Sequence, residues 1–233
     1  MPAPGRSASS LSRGAGRELV LVVPRDQALP GGAWHGLHSG GVEDLLEVIA
    51  HWGEFRPRSE VEAQPEWQQV IPHLVVRDGT RMLTMRRLRA GSEPRLRGQV
   101  TLGVGGHINA SDGAAAEAWL AGCLREWREE VVCNRAVTGR AVGLLKDDAG
   151  AVGQVHLGVL ILVNAEGALV EVRERDKLEG RMALVDELGV YYLEMETWSQ
   201  FVYDALLRGD LDRTGDGLVM TLPGSTLGAS VES

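Results

Sequence analysis

The run Arg125-Glu126-Trp127-Arg128-Glu129-Glu130 restricts the fold more than any other stretch of the chain. It lies in a segment whose apolar residues recur at helical spacing. At about 100° per residue, Glu126, Glu129 and Glu130 fall on one helical face about 100° wide. Three carboxylates at that spacing repel one another unless a cation sits among them, and hard divalent cations take oxygen ligands. Ala118 and Gly122 clear the space beside the glutamates for a ligand. Leu120, Leu124, Trp127 and Val131 mark the opposite side, expected to be buried.

Immediately upstream, Gln99 to Val104 reads as a strand feeding the glycine-rich turn Gly105-Gly106-His107-Ile108-Asn109. Strand, glycine loop and a helix carrying R-E-U-x-E-E together resemble the Nudix box, G-x5-E-x7-R-E-U-x-E-E-x-G-U, where U is a bulky apolar residue. Glu117 occupies the position of the first glutamate of that motif. Ser111 stands at its leading glycine, and Val132 at the glycine after the paired glutamates. The Gly105-Gly106 pair falls five residues early, which predicts a lengthened loop. Gly98 to Asn109, Lys146-Asp147-Asp148 with Val155 to Gly158, and Met195 to Gln200 resemble a Nudix subgroup described only as predicted phosphoesterases. The similarities run over residues 69 to 208. The resemblance implies an α/β fold: a Nudix-type α/β/α sandwich with a mixed β-sheet, here with an N-terminal α/β extension.

The chain's formal charge of −8 argues against a nucleic-acid polymer or an anionic membrane as partner, since phosphate contacts need clustered Lys and Arg. Nearly all its basic residues are Arg, whose planar fork suits phosphate groups. Cys123 and Cys133 have neither the spacing of a zinc site nor that of a disulfide framework, and read as reduced thiols. No apolar stretch reaches transmembrane length, and residues 1 to 17 lack the apolar core of a secretory signal. The expected location is cytoplasmic.

Residues 1–16 are expected to be a disordered N-terminus, 17–68 an extension packed on the main domain, 69–212 the Nudix domain and 213–233 a flexible tail. Within the extension, Glu18 to Val23 reads as a strand, the glycines from Gly31 to Gly41 as a loop, and Val42 to Trp52 as a helix. Gln69 to Arg77 and Arg81 to Arg87 form a hairpin around Asp78-Gly79-Thr80. Ala141 to Leu145, Val155 to Val163 and Leu169 to Val172 are further strands, and Glu194 to Leu207 is a closing helix.

Divalent metals aid pyrophosphate hydrolysis by neutralising charge and activating bound water. Glu126, Glu129 and Glu130 are the expected metal ligands, with Mg²⁺ as the cofactor and Mn²⁺ as its substitute. Glu129, Glu130 and Asp148 are the candidate catalytic groups, Asp148 as general base from a strand end. Gly105 and Gly106 let backbone N–H groups approach a phosphate. With His107 and Arg87 they make up the candidate substrate contacts, and Arg86, Arg89, Arg95 and Arg97, around Glu93, extend the basic group. Arg125 is expected to orient a glutamate. His156, in an apolar strand, reads as a core residue, and Trp34, Trp52, Trp67 and Trp198 as packing residues able to stack a base.

The expected activity is hydrolysis of a pyrophosphate bond in a small-molecule nucleoside diphosphate linked to another moiety. The alternative is a catalytically silent Nudix fold used for ligand sensing or protein binding. Allylic diphosphate isomerisation would need a Cys acid, and Cys123 lies on the helix itself. A homodimer is common in the family that the chain resembles.

Overall fold

The computed structural model describes residues 18–88, 98–173, 175, 178–212 and 217–225. Arg89, Glu93, Arg95 and Arg97 lie outside the described residues, as do residues 1–16 and part of the expected tail. The β-branched run at the start forms strand β1 (Leu19–Pro24), in which Val20 to Val23 are fully buried. A short helix α1 (Arg25–Ala28) leads towards β2 (Gly36–Ser39). The expected loop over glycines 31 to 41 is therefore corrected. Gly36–Ser39 has no period of its own, and it becomes a strand by pairing with residues 143–146. The amphipathic stretch forms α2 (Val42–Trp52), with Val42, Leu45 and Ile49 inward and Trp52 on the surface. Strand β3 (Glu54–Pro57) and helix α3 (Arg58–Val61) follow.

The hairpin forms as β4 (Trp67–Asp78) and β5 (Arg81–Arg87) around Gly79, whose φ of +57° favours glycine. The strand expected over 99–104 is broken into β6 (Val100–Thr101) and β7 (Gly103–Val104). A 3-10 turn at Ala110–Asp112 precedes α4 (Ala115–Glu130), which runs directly into β8 (Val131–Cys133). Then come β9 (Val137–Lys146), the short α5 (Ala151–Val155), β10 (His156–Asn164), β11 (Val170–Val172) and β12 (Leu178–Leu184). A 3-10 stretch over Val185–Glu194 leads to α6 (Thr197–Arg208), and β13 (Val219–Leu222) ends the described chain's regular structure.

The central path of the large sheet runs β12-β5-β4-β10-β9-β13. β4 and β10 are parallel and the other pairs antiparallel, which makes the sheet mixed. β1 joins β4 and β2 joins β9, so strands from the first third of the chain belong to this sheet. One apolar core lies between the sheet and α2 and α4, and includes Leu45, Ile49, Trp119, Cys123 and Trp127. A second lies under α6 and the 3-10 stretch, and includes Leu188, Val202 and Tyr203, and a small third joins Val20, Val22 and Val61. Helices on both faces give the α/β/α sandwich.

The C-terminal expectation also needs correction. Residues 219–222, inside the expected tail, form an edge strand on β9. Met220 and Leu222 are buried there, and the Trp127 indole N–H donates to the Pro223 carbonyl at 2.8 Å.

Candidate active site

The inward face of α4 is rotated from the one expected. Trp119, Cys123 and Trp127 fill the core, and Ala118, Gly122 and Glu126 also point inward. Leu120, expected to be buried, is 45% exposed. The glycine loop lies against the Glu126 side, so that face is covered by protein as well as lined by acids. A Cβ on Gly122 would meet Ile108 at 2.9 Å, and one on Gly106 would lie 2.7 Å from Glu126 Oε1. Glycine at 106 thus leaves the volume in which the carboxylate sits.

Gly105 serves the backbone. Its φ is +155°, and a Cβ there would lie 1.8 Å from the Pro72 carbonyl oxygen of β4. The loop beyond is fixed from the N-terminal segment, since the Leu21 N–H donates to the Ile108 carbonyl at 2.8 Å.

Arg125 holds these parts together. Its Nε and Nη2 donate to the two oxygens of Asp112 at 2.8 and 3.0 Å, and Nη2 also donates to the His107 carbonyl at 2.7 Å. Nη1 donates to Glu126 Oε1 at 2.7 Å and to Glu129 Oε2 at 2.9 Å. One guanidinium therefore joins the loop, the 3-10 turn and two of the three glutamates, the orienting role expected of it. Asp112 is the residue that sequence reading missed. It also accepts from the Asn109 N–H at 2.8 Å. Burial pushes its carboxyl upward, but the Arg125 and Asn109 hydrogen bonds hold it below the usual range. The turn-forming neighbours Ser111 and Gly113 were the available signal.

Glu126 behaves in the opposite way. It is 7% exposed, and burial together with the charges of Glu129 and Glu130 pushes its pKa up to about 7 despite Arg125. The Glu129 side chain is 57% exposed. The helix brings the three glutamates into electrostatic contact, yet no three acid, imidazole or thiol groups among the described residues are gathered closely enough to hold an ion as they stand.

The other candidates are distributed more widely. Asp148 is committed to structure: Arg25 Nη2 donates to both its oxygens at 2.9 Å, and Lys146 Nζ lies 3.5 Å away. Burial opposes this, but Arg25 and Lys146 hold the carboxyl below the usual range, so its role as general base is not supported. Arg87 donates to Glu196 at 2.6 Å, at the start of α6, and Arg86 donates to Glu194 at 2.6 Å. Both guanidiniums are ion-paired at the edge of the 3-10 stretch and α6.

The His107 ring meets Gln69 and His156. Burial pushes His107 down to about 3 and lowers His156, so both rings are neutral at ordinary pH. Burial raises the Cys123 thiol pKa far above its usual value, which keeps it protonated inside the core.

Two grooves lie apart from α4. One of about 620 Å³ is lined by Trp34, His38, Asp44, Glu47, His51 and Trp52, among others, and one of about 590 Å³ by Arg25, Glu66 and Trp67 among others. Neither is lined by Glu126, Glu129 or Glu130. Trp34 stacks on His38 at 4.2 Å, Trp67 packs under the Arg56 guanidinium, and Trp198 packs edge-on to His73.

No family model matches the chain. It is 36% identical over 201 residues to Protein YmaB of Bacillus subtilis (strain 168), covering 81% of this chain and 97% of that protein. Among solved structures it is similar to Tm1382, which carries a provisional Nudix hydrolase designation. That alignment has 32% identity and a TM-score of 0.70, over 82% of this chain and 99% of the other.

Proposed function

The chain belongs to the Nudix superfamily, and from that premise we propose that it is a divalent-metal-dependent hydrolase of a pyrophosphate bond in a nucleoside diphosphate linked to another moiety. The observation that carries this reading is the Glu126 carboxylate, packed against Gly106, where burial first and the charges of Glu129 and Glu130 second raise its pKa to about 7. A carboxylate in that state is short of positive charge.

The donors fit a hard cation. All three are carboxylates, and Arg125 neutralises them only in part, touching Glu126 and Glu129 through one nitrogen. Glu126, Glu129 and Glu130 would hold Mg²⁺, or Mn²⁺ in its place. The bound ion would supply charge neutralisation for the diphosphate and acidify a coordinated water. The chain's own contribution is positional. Arg125 fixes Glu126 and Glu129 relative to the loop, and Gly105 and Gly106 keep that loop close enough for a phosphate to meet the backbone. With Asp148 engaged elsewhere, the exposed Glu129 is the carboxylate best placed to accept a proton from solvent.

The experiment is Mg²⁺-dependent phosphate release, coupled to a phosphatase, across a panel of nucleoside diphosphate derivatives, with Glu130→Gln beside the wild type. Activity lost in the variant supports hydrolysis and names the substrate class. Folded protein that is silent across the panel and binds neither Mg²⁺ nor Mn²⁺ by calorimetry would leave the silent ligand-binding fold. The ungathered state of the three glutamates is the observation that favours this second reading.

A further inference from the structure

Behind the glycine loop a second group of donors converges, and none of them is an acid. His107 Nε2 stands 3.4 Å from His156 Nε2 and 2.8 Å from Gln69 Oε1. His156 is oriented from behind, with its Nδ1 2.6 Å from the Val152 carbonyl oxygen. That contact requires the proton on Nδ1 and leaves a lone pair on Nε2. His156 Nε2 and Gln69 Oε1 are thus both acceptors, and both face the single N–H that His107 can offer. Gln69 is fully buried and its amide nitrogen has no partner, so this carboxamide is held in place at the cost of an unmet donor.

The spacing of the two imidazoles matches coordination chemistry, and the 2.8 Å contact between His107 and Gln69 would open by about half an ångström on metal binding. Two imidazole nitrogens bound at about 2.0–2.1 Å to one tetrahedral ion stand about 3.4 Å apart. A metal-bound histidine ordinarily donates its other ring N–H to a carbonyl or carboxylate, as His156 does to Val152. The support extends one layer further. Lys146 is fully buried, and its Nζ donates to the carbonyls of Gly153, Gln154 and His156 at 2.6, 3.1 and 3.1 Å and to Gln68 Oε1 at 2.7 Å. Arg25 donates to the Gln154 carbonyl at 3.0 Å from the other side. The turn that aims His156 is therefore held at its C-terminal end by two cations that share the Gln154 carbonyl.

We propose that His107, His156 and Gln69 form a site for a borderline transition-metal ion of the Zn²⁺ class, separate from the carboxylates of α4. The two Nε2 atoms and Gln69 Oε1 are its ligands, and a water would complete the four. Imidazole nitrogen suits Zn²⁺, Co²⁺ and Ni²⁺, whereas Mg²⁺ takes oxygen. The nearby charges are mixed, Arg58 and Lys146 against Glu62, so the site selects by nitrogen ligation and not by charge. It does not depend on the hydrolase reading.

The test is titration of the chelator-stripped full chain with Co²⁺ in excess Mg²⁺, followed by visible d–d absorption and displacement with Zn²⁺. One equivalent of Co²⁺ is expected to bind and to be displaced by Zn²⁺. His107→Ala and His156→Ala should each weaken it by at least about tenfold, with folding checked by thermal melting. Gln69→Glu should strengthen it by at least about tenfold, because it sets a carboxylate where the amide oxygen stands. Absence of Co²⁺ binding in the wild type, or full competition by Mg²⁺, would overturn the proposal. So would absorption that survives in both folded histidine variants. Should those variants fail to fold, an unchanged affinity in Gln69→Glu overturns it alone.

Discussion

Replacing Glu126 with Gln should change how stability depends on pH. In the folded protein the group titrates near 7, against 4.5 for an ordinary glutamate, because it is buried and lies beside Glu129 and Glu130. The folded state therefore holds a proton that the unfolded chain has released between those two values. Its contribution to stability is fully present below about 4.5 and is lost as pH rises through about 7. Each pH unit between the two is worth about 1.4 kcal/mol, which makes the loss about 3 kcal/mol at most. Glu126→Gln keeps an oxygen for Arg125 and removes the ionisation. Urea unfolding at pH 5, 6.5 and 8 in the presence of a chelator should show the wild type losing up to about 3 kcal/mol relative to the variant. Mg²⁺ at pH 8 should restore the wild type and leave the variant unmoved. Wild-type and variant stabilities that run parallel from pH 5 to 8 would mean that Glu126 ionises normally, and the argument from its burial would fail.

Arg125→Lys should cost about 3 kcal/mol by thermal or urea unfolding, because Asp112 is buried and loses a two-pronged partner; unchanged stability would remove Arg125 from its central place. Gly106→Ala sets a methyl 2.7 Å from Glu126 Oε1, and calorimetry should show Mg²⁺ affinity falling by about tenfold in a protein that still folds. Gly158→Ala sets one 2.8 Å from the Trp198 ring and should cost about 1–3 kcal/mol through displacement of α6. Deleting residues from 217 onward removes β13 and strands the buried Trp127 N–H, so the melting midpoint should drop by the equivalent of about 1–3 kcal/mol or more.

Legibility in the sequence followed the source of each element's stability. Helix Val42–Trp52 and strand Arg81–Arg87 were read to the residue, since a clear apolar period and a tight turn bound them. Strand Gly36–Ser39 was invisible, because its stability comes from pairing with residues 143–146 and not from its own side chains. The buried face of α4 was misjudged for a related reason. Leu120 advertised burial, but the loop at Gly105 to Ile108 covers the other side, and such a cover is a tertiary contact with no local period. The glutamate spacing was legible because it is a property of the helix alone. Asp112 was not, since its meaning lies in a fork donated from Arg125, more than three helical turns along the chain.

The pairing of β2 with β9 also orders events at synthesis. Gly36 to Ser39 leave the ribosome long before their sheet neighbours on β9 exist. Until residue 164 has emerged, the parallel register of His156–Asn164 against Gln69–Arg77 cannot close. Contacts so remote in sequence slow folding, and a nascent chain waiting for them shows apolar strand edges to its surroundings. The early third of this protein therefore completes its sheet only after more than half of the chain has been made.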